Sequence, residues 1–180
     1  MKRLTLLRHA KSDWDDPVAR DFDRPLNHRG EKAALLMGQF AAQRQMQFDM
    51  LVASPAVRVV QTLETFFTGL GESLDARWDR RIYLASSPTL FDVIRDLPES
   101  TDSALLAGHN PGLEELILDL VPDDGANPLR EDVEVKFPTA SIAVLDLKID
   151  RWSEAQENVA TLVSFTRPRD LDPALGPGTR

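Results

Sequence analysis

The chain has 180 residues, 42% of them hydrophobic and 28% charged, enough to bury one sizeable core and too few to suggest two full domains. A formal charge of -8, spread over both halves, leaves no basic stripe for a nucleic-acid backbone, so no nucleic-acid partner is expected and any bound phosphate must be gripped by a local cluster of cations. With no cysteine, disulfides, thiolate metal sites and cysteine nucleophiles are excluded, and histidine is left to carry nucleophilic nitrogen chemistry.

At the N-terminus, Met1-Lys2-Arg3 leads into an apolar run at residues 4–7 that Arg8 ends. The run has the length of a strand and is too short for a signal peptide or a membrane span, so a cytoplasmic protein without membrane association is expected. Asn27 reads as a helix cap with Glu31 in the first turns, and Ala33, Leu36, Met37 and Phe40 follow at helical spacing. A strand at residues 50–53 leads to a second helix starting at Ser54-Pro55, with Pro55 in its first turn, running through Val59, Val60, Leu63 and Phe67 to Gly69. Residues 88–97 and 113–120 read as further helices, and residues 104–107 and 142–147 as strands. Segments 122–128 and 171–180, rich in Pro, Gly and Asp, read as a loop and a frayed tail. Strand alternating with helix over the first two thirds predicts an α/β sheet.

Three places on this pattern carry chemistry. The first strand runs into Leu7-Arg8-His9-Ala10-Lys11-Ser12, which puts Arg8 and His9 at its carboxyl end, where open α/β sheets bind ligands. The second strand is followed by Ser54-Pro55-Ala56-Val57-Arg58-Val59-Val60-Gln61-Thr62, which sets Arg58 in the first turn of a helix. A cation there opposes the helix dipole unless an anion is shared with it. The strand at 104–107 ends in Gly108-His109-Asn110-Pro111-Gly112, bringing a second histidine to the same edge. Taken singly, each has a plain reading: a loop dipeptide, an arginine reaching into solvent, an incidental turn histidine. Their joint arrival at one sheet edge points to an oxyanion site. Lys11 and Ser12 are secondary candidates for donating to a phosphate from the same loop. Trp14 either lines the pocket mouth or packs locally. His28, beside a helix cap, reads as solvated, and Asp13, Asp15, Asp16, Asp21 and Asp23 lack the spacing of an EF-hand loop and read as a solvated loop on the substrate side.

The Arg8-His9 pair, the Ser-Pro-x-x-Arg-x-x-Gln-Thr stretch and Gly-His-Asn-Pro-Gly resemble, in order and spacing, the histidine phosphatase (phosphoglycerate mutase-like) superfamily. The compact length, Arg24-Pro25-Leu26-Asn27-His28-Arg29-Gly30 and Phe137-Pro138-Thr139-Ala140-Ser141 are similar to its SixA branch of phosphohistidine phosphatases. The resemblance implies a single-domain three-layer α/β/α sandwich with a mostly parallel sheet over residues 1–168 and a flexible tail at 169–180. It implies that His9 attacks phosphorus while Arg8, Arg58 and His109 hold the non-bridging oxygens, with no metal and no cofactor. A neutral histidine nucleophile needs an acceptor for its other ring nitrogen, which the sequence does not name. Many superfamily members carry a glutamate that protonates the leaving oxygen. The matching region here, Trp78-Asp79-Arg80-Arg81-Ile82-Tyr83-Leu84, has none, so Asp79 is the candidate acid or else a surface partner of Arg80 or Arg81. A phosphohistidine leaving group is readily protonated near neutral pH. The expected partner is therefore a phosphohistidine-bearing protein, with a small phosphorylated molecule, or non-catalytic phosphohistidine binding, as alternatives.

Overall fold

Along each central strand, alternate side chains turn to opposite faces of one sheet and so divide the core in two. In the computed structural model, residues 1–17 and 20–176 are described. The strands are β1 Lys2–Arg8, β2 Met50–Ala53, β3 Ala76–Trp78, β4 Ser103–Gly108, β5 Ile142–Leu147 and β6 Ala160–Thr166. They lie in the order β3-β2-β4-β1-β5-β6. The β1–β4, β2–β4 and β2–β3 pairings are parallel, and β5 and β6 extend the sheet antiparallel. The helices are α1 His28–Gln43, α2 Val57–Leu70, α3 Ser87–Arg95, α4 Gly112–Leu120, α5 Pro128–Val135 and α6 Pro168–Leu171. Leu7, Leu51, Leu105 and Ile142 face Met37 and Phe66 of α1 and α2. Leu6, Val52, Leu106 and Leu145 face Ile94, Leu116 and Val133 of α3, α4 and α5. The expected three-layer α/β/α sandwich is therefore present.

Local chemistry sets the helix ends. The Asn27 side chain accepts from the Gly30 N–H at 2.7 Å and caps α1, as its position predicts. The second helix differs from expectation at its start: Ala56, extended, is the cap, and Pro55 precedes the helix. It closes at Gly71, whose φ of 77° suits a left-handed turn. β3, β6 and α5 are among the elements that went unread. β3 is half-exposed and carries Arg77 and Trp78 in place of an apolar run. β6 alternates buried Ala160 and Leu162 with exposed Thr161 and Val163. α5 buries only Val133. The segment expected as a tail carries defined elements as far as Gly176: α6, then a 3-10 turn at Pro173–Leu175. Arg29 Nη2 ties this segment to the body by donating to the carbonyls of Ala174 (2.9 Å) and Gly176 (2.6 Å). Residues 177–180 of the expected tail lie outside the described residues.

The topology positions the site. β1, β2 and β4 are parallel neighbours, so their carboxyl ends share one edge, and Arg8 pairs in register with Gly108. The ladder continues one step further, with the His9 N–H donating to the Gly108 carbonyl at 3.0 Å. His9 and His109 thus leave adjacent strands at the same level. Among the described residues no helix is long and apolar enough to cross a membrane.

Candidate active site

His9 is buried, 8% exposed, at the carboxyl end of β1. Its Nδ1 lies 2.7 Å from the Ala10 carbonyl oxygen. A carbonyl can only accept, so Nδ1 carries the proton and Nε2 of the neutral ring is left with its lone pair. Burial, opposed in part by that hydrogen bond and reinforced by Arg8, His109 and Arg58, pushes the His9 pKa down to about 3. The Ala10 N–H in turn donates to Thr62 Oγ1 at 2.9 Å, and the Thr62 hydroxyl donates to the Arg58 carbonyl at 2.6 Å. Gln61 Oε1 accepts from the Leu26 N–H at 2.8 Å. The Gln-Thr end of the second motif therefore fixes the loops around the nucleophile. Gly30 does so from the other side: a Cβ there would stand 2.1 Å from the Lys11 carbonyl oxygen, so α1 lies against the nucleophile loop only because this residue has no side chain.

His109 stands behind, its ring centroid 5.4 Å from that of His9. Arg58 Nη2 lies 3.3 Å from His109 Nδ1, and a guanidinium can only donate, so Nδ1 accepts. The proton then sits on Nε2, which donates to Ser54 Oγ at 2.7 Å. Burial and then the Arg58 charge push the His109 pKa down to about 3. In this arrangement His109 orients Arg58 from both of its ring nitrogens' fixed positions, with Ser54, at the end of β2, as the anchor. Arg58 also donates to the Asp21 carbonyl at 2.9 Å and to Asp21 Oδ2 at 3.0 Å. The partner of Arg58 at this helix N-terminus is therefore the Asp21 carboxylate, which the sequence reading did not foresee. Arg24 also pairs with its carboxylate, and the Tyr83 hydroxyl donates to it at 2.7 Å. Burial opposes ionisation of Asp21, but the Tyr83 hydrogen bond and the Arg58 charge outweigh it and hold the carboxyl below its ordinary range.

Arg8 Nη1 donates to the Phe137 carbonyl at 3.0 Å, and Asn110 Nδ2 donates to the same oxygen at 2.9 Å. Ala140, at φ 60°, donates its N–H to the carbonyls of Arg8 and His9. The Phe-Pro-Thr-Ala-Ser segment therefore acts through its backbone, holding the Arg8-His9 pair in place. Arg8, His9, Asp21, Arg24, Arg58 and Asn110 line a hollow of about 570 Å³. Buried Nε atoms of Arg8, Arg24 and Arg58, and Nη1 of Arg24, have no hydrogen-bond partner among the described residues, a donor capacity suited to an oxyanion. Lys11, exposed, and Ser12, buried, line the same hollow. Trp14 is 80% exposed at the rim, its ring under the Arg24 guanidinium at 3.3 Å. His28 is exposed.

Of the two readings of Asp79, the structure shows the surface partner of Arg81 and corrects the candidate acid. Its carboxylate caps the 3-10 turn at Arg80–Ile82 and pairs with Arg81 Nη2 at 2.8 Å, outside the hollow. The Arg81 hydrogen bonds hold it below the usual carboxylate range, so it has no proton to deliver at neutral pH. Arg24, Ser54, Thr62 and Tyr83 were not singled out from sequence, and Asp21 was read only as part of a solvated cluster. The Gln-Thr of the second motif and the Arg of Arg24-Pro25-Leu26 were the available signals. Nothing in the sequence ties Tyr83 to Asp21.

Residues 4–82 match the family model of the histidine phosphatase superfamily (branch 1). An uncharacterized protein of Mycobacterium tuberculosis (strain ATCC 25618 / H37Rv) is 34% identical over 164 residues, covering 91% of this chain and 100% of the relative. A solved structure described as the putative phosphohistidine phosphatase SixA from Agrobacterium tumefaciens is 32% identical, with a TM-score of 0.78 over 93% of this chain and 98% of that one. A second putative SixA structure, from Nakamurella, is 26% identical, with a TM-score of 0.80 over 93% of this chain and 96% of the other.

Proposed function

Because the chain belongs to the histidine phosphatase superfamily and is a phosphatase, we propose that its substrate is phosphohistidine on a protein, hydrolysed in two steps through His9. The observation that carries this reading is the Nδ1–H tautomer of His9, which leaves Nε2 with a lone pair beside Arg8 and Arg58. In the first step His9 Nε2 forms a bond to phosphorus as the P–N bond of the substrate breaks, and the departing imidazole takes up a proton from solvent water. In the second, water attacks the phosphorus and releases phosphate, restoring neutral His9. The guanidinium groups stabilise the charge spread over the equatorial oxygens, with Arg58 turning from Asp21 to the incoming group. His109, whose Nδ1 faces Arg58 and whose Nε2–H donates to Ser54, is assigned to positioning Arg58 for the phosphoryl group.

The substrate assignment is supported by the state of the carboxylates. Asp21, in the hollow, and Asp79, outside it, are both held ionised, so neither matches the strong acid that an alkyl phosphate leaving group demands. The description of the Agrobacterium tumefaciens relative points the same way. The test is turnover of a histidine-phosphorylated peptide with acid-labile phosphate trapped on the enzyme after rapid quench. His9→Ala is expected to lose at least about a thousandfold in kcat and all trapped phosphate. Near wild-type turnover by that variant would remove His9 from the nucleophile role, and sugar phosphates outpacing phosphohistidine would overturn the substrate.

A further inference from the structure

Beside the catalytic hollow, and sharing Arg8, Lys11 and Thr139 with it, lies a second hollow of about 200 Å³. Six cations line it: Arg8, Lys11, Arg29, Lys136, Arg167 and Arg169. None of its described lining residues is acidic, in a chain that carries 29 acidic residues against 21 lysines and arginines. The opposing charge nearby comes from Asp170, which pairs with Arg167 at 2.7 Å and also acts on Arg169, from Asp132 on Arg167, and from Glu114 on Arg8. Arg29 donates only to neutral carbonyls, those of Ala174 and Gly176. Lys11, Arg29, Lys136 and Arg169 enter no ion pair among the described residues. Like charges gathered this closely repel one another, and the arrangement costs free energy that an arriving anion relieves.

Resting on the phosphohistidine reading above, we infer that this second hollow receives an acidic side chain flanking the phosphohistidine, so that the enzyme selects phosphohistidine in an acidic setting. The hollow is contiguous with the catalytic one through Arg8, which places an anion there on the same substrate molecule as the phosphoryl group. The cations favour a protein over a small molecule carrying two phosphates. Arg8 is half-buried and held by the Phe137 carbonyl, and Arg58 is buried, as a dedicated phosphate cradle requires. Lys11 and Lys136 are exposed and Arg29 and Arg169 half-exposed, on four separate segments of chain. Such a rim reads the charge of a facing surface and steers its approach.

The experiment compares two histidine-phosphorylated peptides, one with aspartates and one with lysines flanking the phosphohistidine, alongside phosphoramidate. The enzymes are the wild type and the Lys136→Glu/Arg169→Glu variant. The expected wild-type result is a kcat/KM about tenfold higher for the acidic peptide, shrinking as salt is raised. The variant should lose or reverse that preference, mainly through KM, and keep its rate on phosphoramidate. Equal kcat/KM for the two peptides in the wild type overturns the subsite while leaving the substrate class standing. An equal loss on all three substrates also overturns it, since that marks damage to the shared site. Turnover of phosphoramidate with neither peptide hydrolysed overturns the phosphohistidine reading, and the subsite with it.

Discussion

His9 and His109 are both buried and both neutral, but they hold their protons on opposite nitrogens. Both pKa values are pushed down to about 3, against about 6.5 for an unfolded histidine. As pH falls through 6.5 the unfolded chain takes up protons that the folded one resists until about 3. Between those limits the unfolded state binds more protons, so stability is full above 6.5 and declines as the solution is acidified. Thermal melts from pH 7.5 to 4.5 should therefore show a falling Tm, with a shallower fall for His109→Gln than for the wild type. A second prediction concerns Thr62, whose Oγ1 is the acceptor for the Ala10 N–H. Thr62→Val leaves that buried N–H unpaired, at about 1–3 kcal/mol of stability, and loosens the carbonyl that fixes the His9 tautomer. Denaturant titration should find the first effect, and steady-state kinetics the second, as a fall in kcat with KM little changed.

At the scale of elements, α1 and the nucleophile loop are in backbone contact through Gly30. Gly30→Ala should force them apart, costing about 1–3 kcal/mol by overpacking and lowering kcat by more than the stability loss explains. Melting temperature and activity measured on the same preparation separate the two. How legible the elements were depended on burial. β1, β2, β4 and β5 are buried on both faces and read as continuous apolar runs; β6 is half-buried and shows only alternation, and β3 has no apolar run to find. The site followed the same logic. Arg8, His9, Arg58 and His109 each come directly after a legible strand or at the start of the helix that follows it, so topology alone brings them together. Asp21 and Tyr83 reach the site from irregular segments, where no period marks which way a side chain faces, and for the same reason the two readings of Asp79 stayed open until the structure placed it on Arg81.

For the molecule as a whole, the buried arginines are stabilised by any oxyanion that binds the folded state and not the unfolded one. Tungstate or phosphate at about a hundred times Kd should add about 2.7 kcal/mol and raise Tm. Arg58→Ala should abolish most of that increment, and a wild-type Tm indifferent to either ion would show that the hollow is no anion site. The register of Arg8 with Gly108 has a wider consequence, because it sets the two imidazoles one ladder rung apart, at a centroid distance of 5.4 Å. Neighbouring strands in any sheet lie about 4.8 Å apart, a pitch dictated by peptide geometry. The spacing of the two imidazoles is thus set largely by the main chain. A change of preferred substrate in this chain is therefore expected from substitutions at the rim residues Lys11, Trp14 and Thr139 sooner than from any change in the spacing of the rings.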